Sequence, residues 1–325
     1  MAEVLLVATI KDEGPHILEW VAHHRLIGFD RIMLFENDST DLTNRTLGLL
    51  GRMGVVEFHK NSRPEGDYQN RAYRRAGRSS AYRECEWCMS LDGDEFLSVN
   101  VGNGTVQDLI AVTPDADAIL VSWRNFGSGG FVDISSELVT QRFVATNPAS
   151  EIRAKKPEGF KSIFRTDAFQ RPGIHKARVP LRDNLKFYNG SGDLVREGKK
   201  VGWRRLDRKL RKNAQVNHYV IRDLSSFLVK SFRGSCFPDR NVGLKYWAHR
   251  DFNQAEDRSL ADKSDAIWEE MQSLDQQSGG RLLHFRRRSI AAWQQRAAEL
   301  LKSKEGNDLA QAIQSQKDGA LVAAE

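Results

Sequence analysis

Four short apolar runs near the start of the chain, each followed by a polar loop, restrict the fold more than any other feature. Val4-Leu5-Leu6-Val7-Ala8-Thr9-Ile10 is continuously apolar, as in a strand covered on both faces. It gives way to Lys11-Asp12-Glu13-Gly14-Pro15. Ile17, Leu18, Val21, Ala22, Leu26 and Ile27 then recur with helical spacing, and Gly28 closes the element. Residues 31–35 read as a second strand ending in the polar loop 36–41. A helix carrying Leu42, Leu47, Leu49 and Leu50 leads to a third strand at 55–58. Residues 68–83 read as one basic helix, and Trp87-Cys88-Met89-Ser90-Leu91 as the fourth strand. Strands alternating with helices in this way predict βαβ units, right-handed crossovers and a mainly parallel sheet. Ligands bind beyond the carboxyl ends of such strands, so loops 11–13, 36–41 and 92–95 are expected to share one crevice.

The fourth run ends in Asp92-Gly93-Asp94-Glu95 and turns apolar again at Phe96-Leu97. Asp92 and Asp94 lie two apart, so on an extended backbone they point the same way and can reach one cation. Oxygen ligands of this kind suit Mg2+ or Mn2+, which keep waters and take further ligands from a substrate diphosphate. The plain alternative for the same three residues is an acidic surface turn.

Farther along, residues 118–123, 161–165 and 216–221 read as strands, 106–112 and 224–232 as helices, and 182–215 as a polar, basic surface loop or an excursion between strands. Phe126-Gly127-Ser128-Gly129-Gly130 is either a hairpin loop or a place where backbone approaches a ligand. From about residue 252 the chain reads as amphipathic helices, with an Ala- and Gln-rich end over 309–325 expected to fray. The 325 residues are 40% hydrophobic and 28% charged, ordinary for a globular protein. No apolar run reaches the roughly 20 residues that span a bilayer. The start lacks the basic segment of a signal peptide, and the cysteine usage leads to the expectation of a reducing, cytoplasmic compartment. Cys85, Cys88 and Cys236 make no disulfide framework, and Cys85 and Cys88 have no second pair nearby for zinc. The net charge of +6, crowded at 196–212 and 281–288, favours an acidic partner. GxGxxG, Walker and nucleic-acid motifs are all missing from the sequence.

Several pieces, in order and at their spacing, resemble the GT-A glycosyltransferases of the family-2-like type, close to glycosyltransferase family 92. They are Lys11-Asp12-Glu13, Glu19-Trp20, Gly28-Phe29-Asp30, Glu36-Asn37-Asp38-Ser39-Thr40-Asp41 and Leu91-Asp92-Gly93-Asp94-Glu95-Phe96-Leu97. Trp123 with Phe126-Gly127-Ser128, Lys161-Ser162-Ile163, and Asn217-His218-Tyr219 leading to Lys230 and Arg233-Gly234 complete the set. The resemblance covers about residues 3–250. It implies a GT-A domain over 1–250, with a nucleotide half to about 100 and an acceptor half beyond, followed by a helical C-terminal extension over 251–325. It also implies transfer of a sugar from a nucleotide-sugar, usually UDP-linked, with Mn2+ or Mg2+ on the diphosphate.

On that resemblance Asp94 would bind the metal, Asp92 the metal or the donor, and His218 the metal or the diphosphate, with His175 a weaker candidate. Thr9, Lys11, Glu13 and Asp38 would surround the nucleotide, Gln69 and Arg74 would face the donor, and Lys230 and Arg233 would grip diphosphate oxygens. The bland readings are helix capping by Asp12 or Glu13, an Asx turn at Asn37-Asp38, and cations at a helix C-terminus. For the general base of an inverting reaction, Asp133 and Glu95 are the nearest carboxylates. At this place after Phe126-Gly127-Ser128 many relatives carry a His, and this chain has Gly130-Phe131. Trp123 and Phe126 either stack on a sugar or pack in the core. The acceptor is expected to be a glycan or a lipid-linked glycan of a surface polysaccharide or lipopolysaccharide. Arg286-Arg287-Arg288 and Trp293 would touch an anionic membrane at its inner face or form an interface between copies of the chain. The alternatives are a nucleotidyltransferase or phosphosugar enzyme and, last, a nucleic-acid-binding protein.

Overall fold

The computed structural model describes residues 2–62, 67–148, 159–197, 211–233 and 242–322. The N-terminal part runs β1 (Val4–Ile10), α1 (Ile17–Leu26), β2 (Arg31–Glu36), α2 (Thr43–Arg52), β3 (Glu57–Lys60), α3 (Tyr68–Ala76), α4 (Ser80–Glu84) and β4 (Trp87–Asp92). Next come β5 (Glu95–Val99), α5 (Val106–Ala111), β6 (Ala118–Asn125), α6 (Val139–Arg142), β7 (Ala145–Thr146) and β8 (Phe160–Arg165). β9 (Phe169–Arg171), β10 (Arg178–Pro180), β11 (Lys186–Asn189), β12 (Leu194–Glu197) and β13 (Ala214–His218) follow. The chain closes with α7 (Leu224–Phe232), α8 (Leu244–Ala248), β14 (Ala255–Glu256), α9 (Ser264–Gln277), α10 (Arg281–Lys302) and α11 (Lys304–Val322).

β1 is buried along its whole length because it lies mid-sheet, parallel to β2 on one side and β4 on the other. β3 continues the parallel set at the edge. The strand order is β12-β11-β6-β8-β4-β1-β2-β3, with β13 joining β6 to β5. Helices flank this mainly parallel sheet, and helices also form the C-terminal region, as the sequence implies. The exceptions position the site. β8 enters antiparallel between β4 and β6, and β13 runs parallel to β6 but antiparallel to β5.

Several boundaries differ from the sequence expectation for physical reasons. The expected single helix over 68–83 is two helices, because Gly77 packs against Arg171 and the Ser79 hydroxyl restarts the second by capping Tyr82 N at 3.1 Å. The third strand begins only at Glu57, since Val55 N still closes the end of α2 on Leu50 O. The span expected as a surface loop or an excursion between strands holds the hairpin β11–β12, whose turn is fixed by the Asn189 side chain accepting from Ser191 N and Asp193 N. The strand expected over 216–221 leaves the sheet after His218, where Tyr219 N donates to Asp94 O instead.

The C-terminal helices are built into the body. Trp293, Ala297, Leu300 and Ile313 share a core with Phe227 and Leu228 of α7, and Arg25 of α1 pairs with Glu270 of α9 at 2.8 Å. Two residues of the expected membrane-facing set are therefore internal. Arg286 is buried, donating to the carbonyls of Pro15, Ser136 and Glu137, and Trp293 donates to Asp41. Arg287 and Arg288 remain exposed. No helix among the described residues is long and apolar enough to cross a membrane. Cys85 and Cys88 are buried free thiols, and burial holds Cys88 well above the usual thiol range, which makes it unreactive; Cys236 lies outside the described residues.

Candidate active site

The carboxylates fall where β4 ends. Thr9 of β1 stands opposite Asp92 in the parallel register, so the loops after both strands open on the same side. Gly93 makes the turn in a confined place, with Ile10 and Glu13 against it. Asp92 is held at both oxygens. Gln69 Nε2 donates to Oδ1 at 2.9 Å, and Lys161 Nζ donates to Oδ2 at 2.9 Å. Lys161 reaches there from β8, fully buried, and its ammonium also lies 3.0 Å from Glu95 Oε2. Glu95 Oε2 in turn accepts from Asp92 N at 2.8 Å.

Asp94 faces other partners. Lys230 Nζ of α7 donates to Oδ2 at 2.8 Å, and His218 Nε2 of β13 lies 3.6 Å from Oδ1. Burial opposes ionisation of Asp94, but Lys230, His218 and Arg222 outweigh it and hold the carboxyl well below the usual carboxylate range. The His218 imidazole is pushed down by burial, which favours the neutral ring. For Lys161, Asp92 and Glu95 outweigh the cost of burial and keep the ammonium charged. His175, in the β9–β10 turn, is lowered to about 4 by burial and by Lys161. Trp123 stands between the two imidazoles, 5.3 Å from His175 and 4.8 Å from His218 between ring centroids.

A second corner lies beside the first. Glu13 accepts from Arg222 Nη1 at 2.8 Å and lies 3.5 Å from Arg233 Nη2, while Arg233 Nη1 donates to the carbonyls of Lys11 and Asp12. Asp12 N donates to Ser39 Oγ, and Asp12 Oδ1 accepts from Thr40 N, so the loops after β1 and β2 are stitched together. Asp12, Asp38 and Arg222 all have positive φ, at 47°, 52° and 58°. Strain of this kind in non-glycine residues gathers where the chain is held for a function.

The expected residues therefore divide. Thr9, Glu13, Gln69, Asp92, Asp94, Glu95, His218, Lys230 and Arg233 converge on the two corners. Lys11 is half-buried and contributes its carbonyl. Asp38 is exposed at the rim, where the Tyr68 hydroxyl bonds to it. Arg74 points outward, 3.6 Å from Asp67, on a side of α3 away from Asp92. Asp133 is exposed on the loop before α6, its carbonyl accepting from Arg142. Glu95 is fully buried beneath Asp92, out of reach of a solvent-borne hydroxyl. Phe126 is a core residue against Tyr219, whereas Trp123 is half-buried at the site. Two residues escaped the sequence reading of the site, Lys161 as a partner of the carboxylates and Arg222. The signal for Lys161 was a lysine in a strand with three large apolar residues, Phe160, Ile163 and Phe164; for Arg222 it was an arginine directly after the apolar Val220-Ile221.

The glycine loop approaches chain instead of ligand at its first glycine. A Cβ on Gly127 would collide with the Phe252 carbonyl oxygen. Asp251 and Asn253 accept from Ser128 N at 2.7 Å and Gly129 N at 2.8 Å, and Asp257 pairs with Arg124. The expected boundary at 250/251 thus falls beside a segment that fixes the loop next to the site.

Among the described residues no group of three or more His, Cys, Asp or Glu side chains is arranged to hold a metal ion. Asp94 Oδ1 and the neutral His218 Nε2 nevertheless offer two ligand atoms 3.6 Å apart. That pair fits a Mg2+- or Mn2+-like cation whose other ligands are water and substrate oxygens.

The family model for glycosyltransferase family 92 matches residues 7–230 of this chain. A family 92 protein from Oryza sativa subsp. japonica is 27% identical over 251 residues, covering 73% of this chain and 37% of that protein. One from Ricinus communis is 24% identical over 202 residues, covering 59% of this chain and 34% of that protein. The chain thus spans about a third of the length of these relatives. Among solved structures, S. aureus TarS in complex with UDP is similar at 14% identity and a TM-score of 0.31, over 51% of this chain and 47% of TarS. A TarS structure without a named ligand covers 98% of this chain and 92% of its own, at 11% identity and a TM-score of 0.32. With its model matching most of the sequence, the chain belongs to glycosyltransferase family 92.

Proposed function

We propose that this chain transfers a sugar from a nucleoside-diphosphate sugar, with UDP as the nucleotide, to a hydroxyl of a glycan or lipid-linked glycan. The observation that carries the reading is the acidic corner at the end of β4. Two carboxylates there are each met by a lysine, on a crevice also lined by Arg222, Arg233, Trp123 and two imidazoles. Cations and aromatic rings on one crevice suit a ligand that is part diphosphate and part sugar. Lys230, which donates to Asp94, would bridge to a diphosphate oxygen, and Arg222 and Arg233 would add positive charge behind it. Asp94 and His218 would hold a divalent cation, which supplies Lewis-acid stabilisation of the charge that develops on the departing diphosphate.

In the transfer, the acceptor oxygen forms a bond to the anomeric carbon while the bond from that carbon to the diphosphate breaks. The electron pair leaves with the nucleoside diphosphate. The acceptor proton passes to a base, and Asp133 is the exposed carboxylate on the loop after the glycines. With the base and the diphosphate on opposite sides of the sugar the reaction inverts the anomeric centre. The experiment is a panel of nucleotide-sugars incubated with the protein and Mn2+, with release of the nucleoside diphosphate as readout. Consumption of one UDP-sugar supports the reading. Release of pyrophosphate from a nucleoside triphosphate, with every nucleotide-sugar left intact, would replace it with nucleotidyl transfer.

A further inference from the structure

The two carboxylates of the corner differ in their surroundings. Asp94 looks toward Lys230 and Arg222, a setting for phosphate. Asp92 is held by Gln69 and Lys161 and lies near His175, which stands 5.3 Å from the Trp123 ring, a setting for the face of a sugar. Behind Asp92 stands Lys161, whose ammonium has no exposure to solvent and sits between Asp92 Oδ2 and Glu95 Oε2 at 2.9 and 3.0 Å. We propose that Lys161 is a positioning residue: it locks Asp92 in the orientation that receives a hydroxyl of the transferred sugar. The proposal rests on the transferase reading above.

The lock has three parts. Glu95 Oε2 accepts from Asp92 N at 2.8 Å and so fixes both the backbone of Asp92 and the position of the lysine. Lys161 takes the inner carboxylate oxygen, and Gln69 takes the other from α3. Each carboxylate oxygen has two lone pairs, so lone pairs remain for a ligand. The Asp92 side chain, 28% exposed, presents them to the crevice. A buried ion group of this sort is a poor way to stabilise a strand, since a well-packed apolar side chain serves as well or better. Phe160, Ile163 and Phe164 of β8 are buried apolar residues and Ser162 a buried hydroxyl, so Lys161 is the one charged side chain buried in the strand. Lys161 cannot touch substrate. What it can do is remove the rotational freedom of Asp92, which would otherwise be lost when sugar binds.

The test uses three variants of the full chain. Lys161→Met removes the charge and leaves Asp92 and Glu95 without their partner. Lys161→Met with Glu95→Gln also removes the buried carboxyl that would otherwise lose its ammonium partner, so that loss of function is separable from loss of fold. Lys161→Arg keeps the charge. UDP affinity is measured by titration and UDP-sugar consumption by kcat/KM, alongside thermal unfolding. The proposal expects the double variant to fold and to bind UDP like the parent, with kcat/KM for the UDP-sugar down by about 10–100-fold, the usual scale for residues that orient a ligand-binding side chain. Lys161→Arg should recover part of the loss. Parent-like kcat/KM in the double variant would overturn the proposal and leave the transferase reading standing. Equal losses in UDP affinity and in turnover would also overturn it, by removing the distinction between the two aspartates. Parent protein that neither binds UDP nor consumes any nucleotide-sugar would sink both.

Discussion

The acidic corner of Asp92 and Asp94 and the neighbouring corner of Glu13 are built from the same kinds of residue and are held in opposite ways. Around Glu13 the partners are internal: Arg222 and Arg233 close on it, and the Asp12 side chain joins two loops through their backbones. Around Asp94 the partners are side chains at the edge of a crevice, Lys230 from α7 and His218 from β13. At the first corner the carboxylate is closed in by two guanidiniums, whereas at the other a lysine contact can be exchanged for a phosphate. The first is scaffold for the second. Charge alone does not mark a binding site; what marks it is charge whose partners can be replaced.

The contrast is tested most severely at Glu13. Glu13→Ala strands Arg222, buried and already short of partners at Nε and Nη2, so unfolding stability should fall by about 3–5 kcal/mol in a denaturant titration. A loss of activity with stability intact would instead place Glu13 in the ligand-binding half of the comparison.

The scaffold also contains imidazoles that must stay neutral. His23 Nε2 bonds to Leu97 O and His24 Nδ1 to Trp20 O, beneath β5, and burial lowers His23 to about 4 from an ordinary value near 6.5. Because the folded value lies below the unfolded one, the neutral ring's contribution is fully present above pH 6.5. It is lost as pH falls toward 4, on the order of 3 kcal/mol for His23. A His23→Gln variant should flatten that part of the stability profile, and an unchanged profile would mean His23 titrates freely in the fold.

Gly127→Ala is a smaller perturbation, forcing the glycine loop away from the Phe252 carbonyl at about 1–3 kcal/mol of stability. Since the displaced loop leads toward Asp133, turnover should fall more than UDP affinity. Arg74→Ala marks the lower end. Its side chain is 45% exposed and paired only loosely with Asp67, so UDP affinity and melting temperature should stay within error of the parent.

The parallel half of the sheet was legible in the sequence because its information is local. Buried strands there are apolar runs, their helices carry a matching stripe, and the loops between them end at polar residues. The strands that complete the site are another matter. Direction is not written in Lys161-Ser162-Ile163, so nothing local shows that β8 inserts antiparallel beside β4 and delivers an ammonium to Asp92. The β11–β12 hairpin is half-exposed and charged, so its strands carry no apolar run to mark them. Arg222 has only the faint local signal of an arginine after an apolar pair, since its positive φ has no signature in composition. The burial of Arg286 and Trp293 likewise follows from how α10 packs against α7 and the loops near Pro15 and Ser136, a long-range fact.

The most direct measurement is isothermal titration of UDP into the parent protein and Asp94→Asn, each with Mn2+ and then with EDTA. The account predicts micromolar binding by the parent that weakens on chelation. In Asp94→Asn it predicts a loss of roughly 10²–10³-fold, comparable to removing one charge-stabilising group from an active site, in a protein that still folds. UDP binding that is indifferent both to Mn2+ and to Asp94 would contradict it, and would reduce the acidic corner to part of the scaffold.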